Sequence, residues 1–276
     1  MGHAAVPEYN VHMWNKRPAS SGAETIWDTA RLADPHGQRD KRRRVRAMFE
    51  AIAPTYERVN RWASAGRDAH WRREMVRLAD VHPGDVLLDV ACGTGDVVRS
   101  FLKGPDRPRY WVGIDLATNM LRHARAPAGG RGVFVQADAL HLPVADEQVT
   151  IVTCAFGLRN FAHLQTGLRE MYRVLRDGGR AILLEFSLPR HAALRAGYLF
   201  YFRRLLPHLA TWLSGDATGA YRYLPESVLS FYDAQAIRSA LLAAGFDGVS
   251  AHRKSCGIVT IHVARKSLNS SRDTTA

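Results

Sequence analysis

The sequence predicts an α/β protein with a mostly parallel, seven-stranded sheet, helices on both faces and a C-terminal antiparallel hairpin. Three observations carry this. From Gly84 onward, short apolar segments alternate with helical patterns. Strands that are apolar throughout belong in parallel sheets covered on both sides. A tight turn, Gly93-Thr94-Gly95, joins the first such segment to a helix start near Asp96. The last two segments, Val249–Arg253 and Ile258–Arg265, fold back around Gly257 as a hairpin.

Taken in order, residues 1–40 are polar and interrupted by Pro7, Pro18, Pro35, Gly22 and Gly37, which reads as a partly mobile tail. Lys41-Arg42-Arg43-Arg44 then opens an amphipathic helix, with Val45, Met48, Phe49 and Ile52 spaced to share one face. A second helical pattern surrounds Trp71, Met75 and Leu78. The strands expected next are Val86–Val90, Tyr110–Ile114, Val133–Gln136, Val149–Ala155 and Arg180–Phe186. Before the last of them, Leu164, Leu168, Met171, Tyr172 and Leu175 mark a helix face, and Asp177-Gly178-Gly179 makes a turn. One domain therefore spans residues 41–268, with an insertion at 187–232 that would cover a substrate, and a polar tail at 269–276.

The chain has 276 residues and a formal net charge of +12, with 46% hydrophobic and 23% charged residues. That composition suits a soluble globular protein with a core of its own. The basic charge would suit nucleic acid, an anionic membrane or an acidic substrate. Cys92, Cys154 and Cys256 lie far apart and form no zinc or disulfide pattern, so a reducing, cytoplasmic setting is expected. The N-terminus carries no apolar signal segment, and no apolar run is long enough to cross a bilayer. Contact with a membrane would be peripheral, on its inner face.

The strand Leu87-Leu88-Asp89-Val90 and the glycine turn form a strand–loop–helix, and about 20 residues beyond Gly95 lies Asp115, at the end of the second strand. An open α/β sheet places a ribose-binding carboxylate there. A dinucleotide fold wants a small residue at position 98, where this chain has Val98. Asp89 beside the loop suits a ligand bearing an ammonium and a sulfonium and repels a pyrophosphate. Asp138, after the third strand, either accepts from an adenine amine or serves as a turn residue.

With Phe156-Gly157-Leu158-Arg159-Asn160 after the fourth strand, Met171–Arg180 before the fifth and Tyr221-Arg222-Tyr223-Leu224-Pro225-Glu226-Ser227 after it, the chain resembles a family. The family is that of the class I, S-adenosylmethionine-dependent methyltransferases that C-methylate demethylmenaquinol and 2-polyprenyl-6-methoxybenzoquinol in menaquinone and ubiquinone biosynthesis. The likeness runs from about Arg46 to Lys266. It implies a Rossmann-like fold, S-adenosylmethionine as cofactor and a prenylated quinol as substrate. Cofactor contacts are implied for Thr94, Asp115, Asp138 and Ala139, and near Ala155, where relatives often carry Ser. Gly93 and Gly95 form the loop itself. Cys92 replaces a common Gly, which would make the loop sensitive to oxidation. Pro225 replaces an expected Ala, harmless at a helix's first turn.

C-methylation needs electron density on a ring carbon, which a neighbouring hydroxyl supplies when it loses its proton. Arg159 either favours that phenolate or forms a structural ion pair. Asn160 either orients the ring oxygen or caps the next helix. Tyr221, Tyr223 and Asp216 would bound the quinol pocket; His163 reads as a surface or cap residue. No metal-ligand spacing occurs. The stretch from Leu194 to Leu213 mixes aromatics, leucines and arginines as interfacial helices do, with a kink expected at Pro207. The alternatives for it are packing on the sheet or a homodimer contact. Lys41–Arg44 would add attraction to anionic lipid. Competing functions are a nucleic-acid methyltransferase, disfavoured because Pro-Pro-aromatic is absent; another small hydrophobic substrate; a non-catalytic cofactor-binding relative; and an NAD-dependent oxidoreductase, against which Val98 speaks.

Overall fold

The computed structural model describes residues 25–126 and 131–268; the expected tails at 1–24 and 269–276 lie outside these residues. In chain order the elements are α1 (Thr29–Leu32), α2 (Lys41–Ile52), α3 (Tyr56–Ala63), α4 (Arg67–Ala79), β1 (Val86–Val90), α5 (Asp96–Leu102), β2 (Tyr110–Asp115) and α6 (Thr118–His123). β3 (Gly132–Gln136), β4 (Val149–Ala155), a 3₁₀ turn (Leu158–Asn160), α7 (Leu164–Val174) and β5 (Leu175–Phe186) follow. The chain ends through α8 (Ala192–Phe200), a π-helical turn (Tyr201–Leu205), α9 (Leu206–Ser214), α10 (Ala220–Leu229), α11 (Ala234–Ala243), β6 (Ser250–Lys254) and β7 (Val259–Arg265).

The seven strands lie in the order β3-β2-β1-β4-β5-β7-β6. Pairing is parallel from β3 to β5, and β7 runs antiparallel to both β5 and β6. Strand order reverses at β1, so the crossovers diverge and leave a crevice beyond the carboxyl ends of β1 and β4, where α/β sheets hold ligands. The sheet's two faces explain its wholly apolar strands. Leu88, Val90, Ile114, Val152 and Leu183 pack with Leu168 and Met171 of α7 and Ile237 and Leu241 of α11. Leu87, Trp111, Ile151, Ile182 and Leu184 pack with Trp71 and Met75 of α4 and Val98 and Phe101 of α5.

Four readings of the sequence are corrected. The stretch taken as tail is folded from residue 25: Trp27 is wholly buried, and α1 is capped by Asp28, whose carboxylate accepts from the Arg31 N–H at 2.9 Å. Lys41 does not belong to a solvated basic run. It is buried, and its Nζ donates to the carbonyls of Arg159 (2.9 Å) and Phe161 (2.6 Å). Burial brings its pKa down to about 8. The turn at Gly178 is absorbed as an irregularity within β5, which starts at Leu175. Pro225 lies inside α10, not in its first turn, because Gly219 caps that helix. The break or kink expected at Pro207 is not seen as a break: the segment is helical from Ala192 to Ser214 through the π-helical turn, and Pro207 sits in the first turn of α9, where its missing N–H is no loss.

Candidate active site

Two cavities open in the crevice. The smaller, of about 80 Å³, is lined by Asp115, Met120, Asp138, Ala139, Asn160 and Phe161 among others. The larger, of about 630 Å³, is lined by Thr94, Asp96, Arg159, Tyr221 and Tyr223, with a broad apolar wall. Phe49, Tyr56, Ala91, Gly93, Ala155 and Phe156 border both, so the two form one cleft.

The loop after β1 is built by backbone geometry. Cys92 N–H extends the β1–β2 pairing to Ile114 O at 2.8 Å, and Gly95 N–H closes a turn on Cys92 O at 2.9 Å. Gly93 N–H donates to Asp115 Oδ2 at 2.8 Å, and Ala117 N–H donates to Asp115 Oδ1 at 2.8 Å. Each carboxylate oxygen of Asp115 keeps a lone pair for a ligand hydroxyl. Burial, opposed by these N–H groups, pushes its pKa up to about 6. Gly95 is required for a reason the sequence did not show. It lies at φ +83°, and a side chain there would meet the Phe134 ring at 2.7 Å. It borders neither cavity, so packing rather than ligand approach demands glycine.

Asp89 also departs from expectation. It is wholly buried inside the sheet and borders neither cavity. Its Oδ1 accepts from Thr153 Oγ1 at 2.7 Å, Oδ2 has no partner, and burial pushes the pKa up to about 7. It lies behind the loop and is not a lining group. Cys92 is buried, and its thiol is pushed well above its ordinary value, so the loop offers little reactive thiolate. Asp138 lines the smaller cavity, but its Oδ1 accepts from Leu140 N–H at 3.0 Å and its Oδ2 is paired with Arg42 Nε at 2.5 Å.

At the other end of the cleft, Arg159 forms the structural ion pair weighed for it and also faces the cleft. It borders the larger cavity and is also ion-paired: Nη1 donates to Glu185 Oε1 at 2.8 Å and to Phe156 O at 2.6 Å, and its guanidinium lies 5.4 Å from the centre of the Phe186 ring. Its Nε–H is buried and has no partner among the described residues. Asn160 caps no helix, since α7 starts at Leu164 behind His163. Its amide donates to Phe156 O at 3.2 Å and accepts from the Tyr223 hydroxyl at 3.0 Å. Asp216 stays out of the cleft. Its carboxylate accepts from the N–H groups of Thr218 and Ala220, both at 2.9 Å, and so shapes the turn into α10.

The sequence reading missed several walls of the cleft: Phe49 of α2, Tyr56 and Trp62 of α3, and Tyr198, Phe202 and Leu206 from the α8–α9 segment. It also missed Glu185, 1% exposed at the end of β5. An acidic residue within the apolar run Ile182–Phe186 was the available signal.

A mostly apolar slot with the Asp115 carboxylate at its end, continuing past a glycine loop into a cavity bordered by Asp68 and Asp96 with Arg67 and Arg72, fits the size and mixed polarity of S-adenosylmethionine. Fold and site thus define a class I, S-adenosylmethionine-dependent methyltransferase. The ubiE/COQ5 methyltransferase family matches residues 37–266, and the chain belongs to that family. It is 45% identical over 219 residues to the demethylmenaquinone methyltransferase of Thermus thermophilus, covering 78% of this chain and 98% of that one. It is 42% identical over 222 residues to the enzyme of that name from Deinococcus radiodurans (79% and 91% covered). With the ubiquinone/menaquinone biosynthesis C-methyltransferase UbiE of Geobacter sulfurreducens it shares 38% over 234 residues (83% and 91%). Among solved structures, the [4+2]-cyclase SpnF superposes with a TM-score of 0.57 at 16% identity, covering 82% of this chain and 96% of that one. A Thermotoga maritima S-adenosylmethionine-dependent methyltransferase does so with 0.55 at 17% (80% and 99%). A cyclase on the same fold shows why the chemistry must be argued from the site.

Proposed function

We propose that this enzyme transfers the methyl group of S-adenosylmethionine to a ring carbon of a prenylated quinol, with Arg159 favouring ionisation of the adjacent hydroxyl. When bound, the cofactor supplies an electrophilic methyl carried on a sulfonium. The remaining work falls to the chain. The loop at Gly93 and Thr94 and the carboxylate of Asp115 fix one reactant, and the larger cavity fixes the other, so that displacement proceeds in line. A phenol titrates near pH 10, about three units above neutrality, and each unit corresponds to ~1.4 kcal/mol. The observation that carries the reading is Arg159: a guanidinium in the wall of the larger cavity, held there by Glu185 Oε1 and Phe156 O. Glu185 tempers its charge and fixes its plane. Asn160, held by Tyr223, orients the ring, and Tyr221 and Tyr223 bound it. The names borne by the relatives from Thermus and Deinococcus favour a naphthoquinol, demethylmenaquinol, over a benzoquinol. The test feeds each short-chain quinol with a reductant and labelled cofactor, then locates the label by mass spectrometry. Label on a ring carbon supports the reading; label on oxygen, or equal turnover of the oxidised quinone, overturns it.

The same substrate implies a peripheral membrane contact. No helix among the described residues is long and apolar enough to cross a bilayer. Yet Trp212 is 83% exposed, Phe200 61% and Leu194 51%, and the partly exposed Trp62 and Leu209 belong to the rim of the larger cavity. Exposed arginines, Arg58, Arg203 and Arg204, stand beside them. Such a surface suits an anionic bilayer, with the cleft opening toward the prenyl chain's solvent. Cosedimentation with anionic liposomes at low salt tests it: Trp212→Glu should lower the bound fraction, and absence of wild-type binding overturns it. A concentration-dependent dimer that buries Trp212 would be the competing outcome.

A further inference from the structure

Residues 25–36, ahead of α2, lie outside the residues that match the family, yet they are tied to the candidate catalytic loop. Trp27 is wholly buried and stacks on Tyr223 with ring centres 4.3 Å apart. The Tyr223 hydroxyl donates to Asn160 Oδ1 at 3.0 Å, and Asn160 donates to Phe156 O, the carbonyl that also receives Arg159 Nη1. We propose that residues 25–36 form a strap in which Trp27 is a positioning residue, setting Asn160 for the reaction through Tyr223.

Three separate fastenings hold the strap. Trp27 N–H donates to Thr218 O at 3.0 Å, Arg44 Nη1 donates to Ile26 O at 3.1 Å, and the His36 ring shares a 2.9 Å hydrogen bond with Ser227 O. The first and third grip both ends of α10, the helix that carries Tyr223. The chain also makes room for it. Gly219 sits at φ +85°, and a side chain there would come within 2.5 Å of Trp27 O. Among the described residues the Trp27 indole N–H has no partner, and the ring is held by shape and stacking. Tyr223 is thereby pressed between the strap and Asn160. Removing the indole would let the phenol tilt, and with it the amide that orients the quinol. A misplacement of about 1 Å in a group that orients a reactant can cost up to about a hundredfold in rate.

The inference rests on Asn160 acting in the reaction, so the experiment separates the two. Steady-state kinetics with a short-chain quinol, calorimetric titration with S-adenosylhomocysteine and thermal melts are compared for Trp27→Ala, Trp27→Leu, Trp27→Phe, Asn160→Ala and the Trp27→Ala/Asn160→Ala pair. Trp27→Ala and Trp27→Leu should lose about tenfold or more in kcat, with quinol KM and cofactor affinity changed by no more than about twofold. Trp27→Phe should restore most of the loss, because it keeps the stacked ring. On top of Asn160→Ala, the Trp27 change should cost little more, since both act through one contact. Should Trp27→Ala fail to fold, Trp27→Leu, which keeps the site filled, carries the comparison. Normal kcat in Trp27→Leu, or a loss fully additive with Asn160→Ala, overturns the strap. Normal turnover by Asn160→Ala overturns instead the role given to that residue, and the strap's purpose with it.

Discussion

The cofactor half of the cleft and the substrate half are closed by different kinds of contact. Around Asp115 the partners come from one strand–loop–helix and its neighbour: Gly93 N–H is 22 residues away and Ala117 N–H only 2. Around Arg159 and Asn160 they come from across the chain. Glu185 lies 26 residues away, Tyr223 63 and Lys41 118. A nucleoside loop can therefore be rigid as soon as the sheet forms. The substrate loop becomes rigid only when α2, α10 and the segment before α2 have all docked. A cofactor common to many methyltransferases needs the first arrangement, and a particular substrate is met by the second.

The largest expected effect breaks the substrate half alone. Arg159→Ala should lower kcat by about 10²–10³-fold, as loss of a donor to developing oxyanion charge does, and leave S-adenosylhomocysteine affinity unchanged. Raising the pH should restore part of the rate, because solvent then supplies the phenolate. The variant should also lose about 3–5 kcal/mol of stability, since a buried carboxylate is left without its cation. Glu185 is only 1% exposed, so that penalty is not relieved by water. Adding Glu185→Gln should recover stability in denaturant melts without recovering turnover. If the double variant regains both, Arg159 is an ion-pair residue and no part of the reaction.

The contrast between the halves also explains what the sequence disclosed. Strand positions, helix faces and the places of Asp115 and the glycine loop are local patterns, so spacing and periodicity reached them. Where local pattern misled, a distant partner was responsible. Trp27 and Lys41 sit in polar, basic surroundings that read as solvated, and their burial depends on Thr218, Tyr223 and the carbonyls of Arg159 and Phe161. Asp216 looked like a pocket residue by its place in the chain, but a turn takes up its carboxylate. Asp89 and Gly95 lie within the motif, yet one is screened from ligand by the loop and the other is fixed by Phe134. Arg159 and Asn160 were reached through family likeness; no spacing rule links them to Glu185 or Tyr223.

An intermediate effect should appear when the cofactor half is broken. Asp115→Ala removes a charged acceptor of ligand hydroxyls and the tie between Gly93 and Ala117, so S-adenosylhomocysteine affinity should fall by at least about ten- to hundredfold in calorimetry. Arg159 and its ion pair should be untouched. The pH dependence follows from a carboxyl whose pKa is raised to about 6 in the folded protein. Ligand affinity should hold above that pH and weaken as pH falls through it, while Asp115→Asn should be flat in the same range. Stability of the unliganded protein responds with the opposite sign. A carboxyl with a raised folded pKa contributes stability that is fully present below its unfolded value near 4 and is lost as pH rises through about 6. Acid should thus weaken binding at this residue while easing the burial of its side chain. A wild-type affinity that is level from pH 5 to 8 would remove Asp115 from the binding role.

The smallest effect concerns a point where the cofactor half borrows a distant partner. Asp138 lines the smaller cavity, but one of its oxygens is occupied by Leu140 N–H and the other by Arg42 of α2, whose side chain is 60% exposed. An ion pair open to water on one side is worth ~1 kcal/mol or less and is screened by salt. Arg42→Met should therefore weaken S-adenosylhomocysteine by about twofold, an effect that fades in high salt. Asp138→Ala loses that pair, the turn hydrogen bond and any acceptor for the ligand amine, and should cost roughly three- to tenfold. The two changes share an interaction, so the double variant should bind no worse than Asp138→Ala by itself. An Asp138→Ala loss as large as that of Asp115→Ala, with Arg42→Met silent, would mean that the carboxylate leaves Arg42 for the ligand. Asp138 would then be a local member of the cofactor half, and α2 would serve that half through its apolar wall and through Glu50, which accepts from the Thr118 and Asn119 N–H groups, each at 2.7 Å.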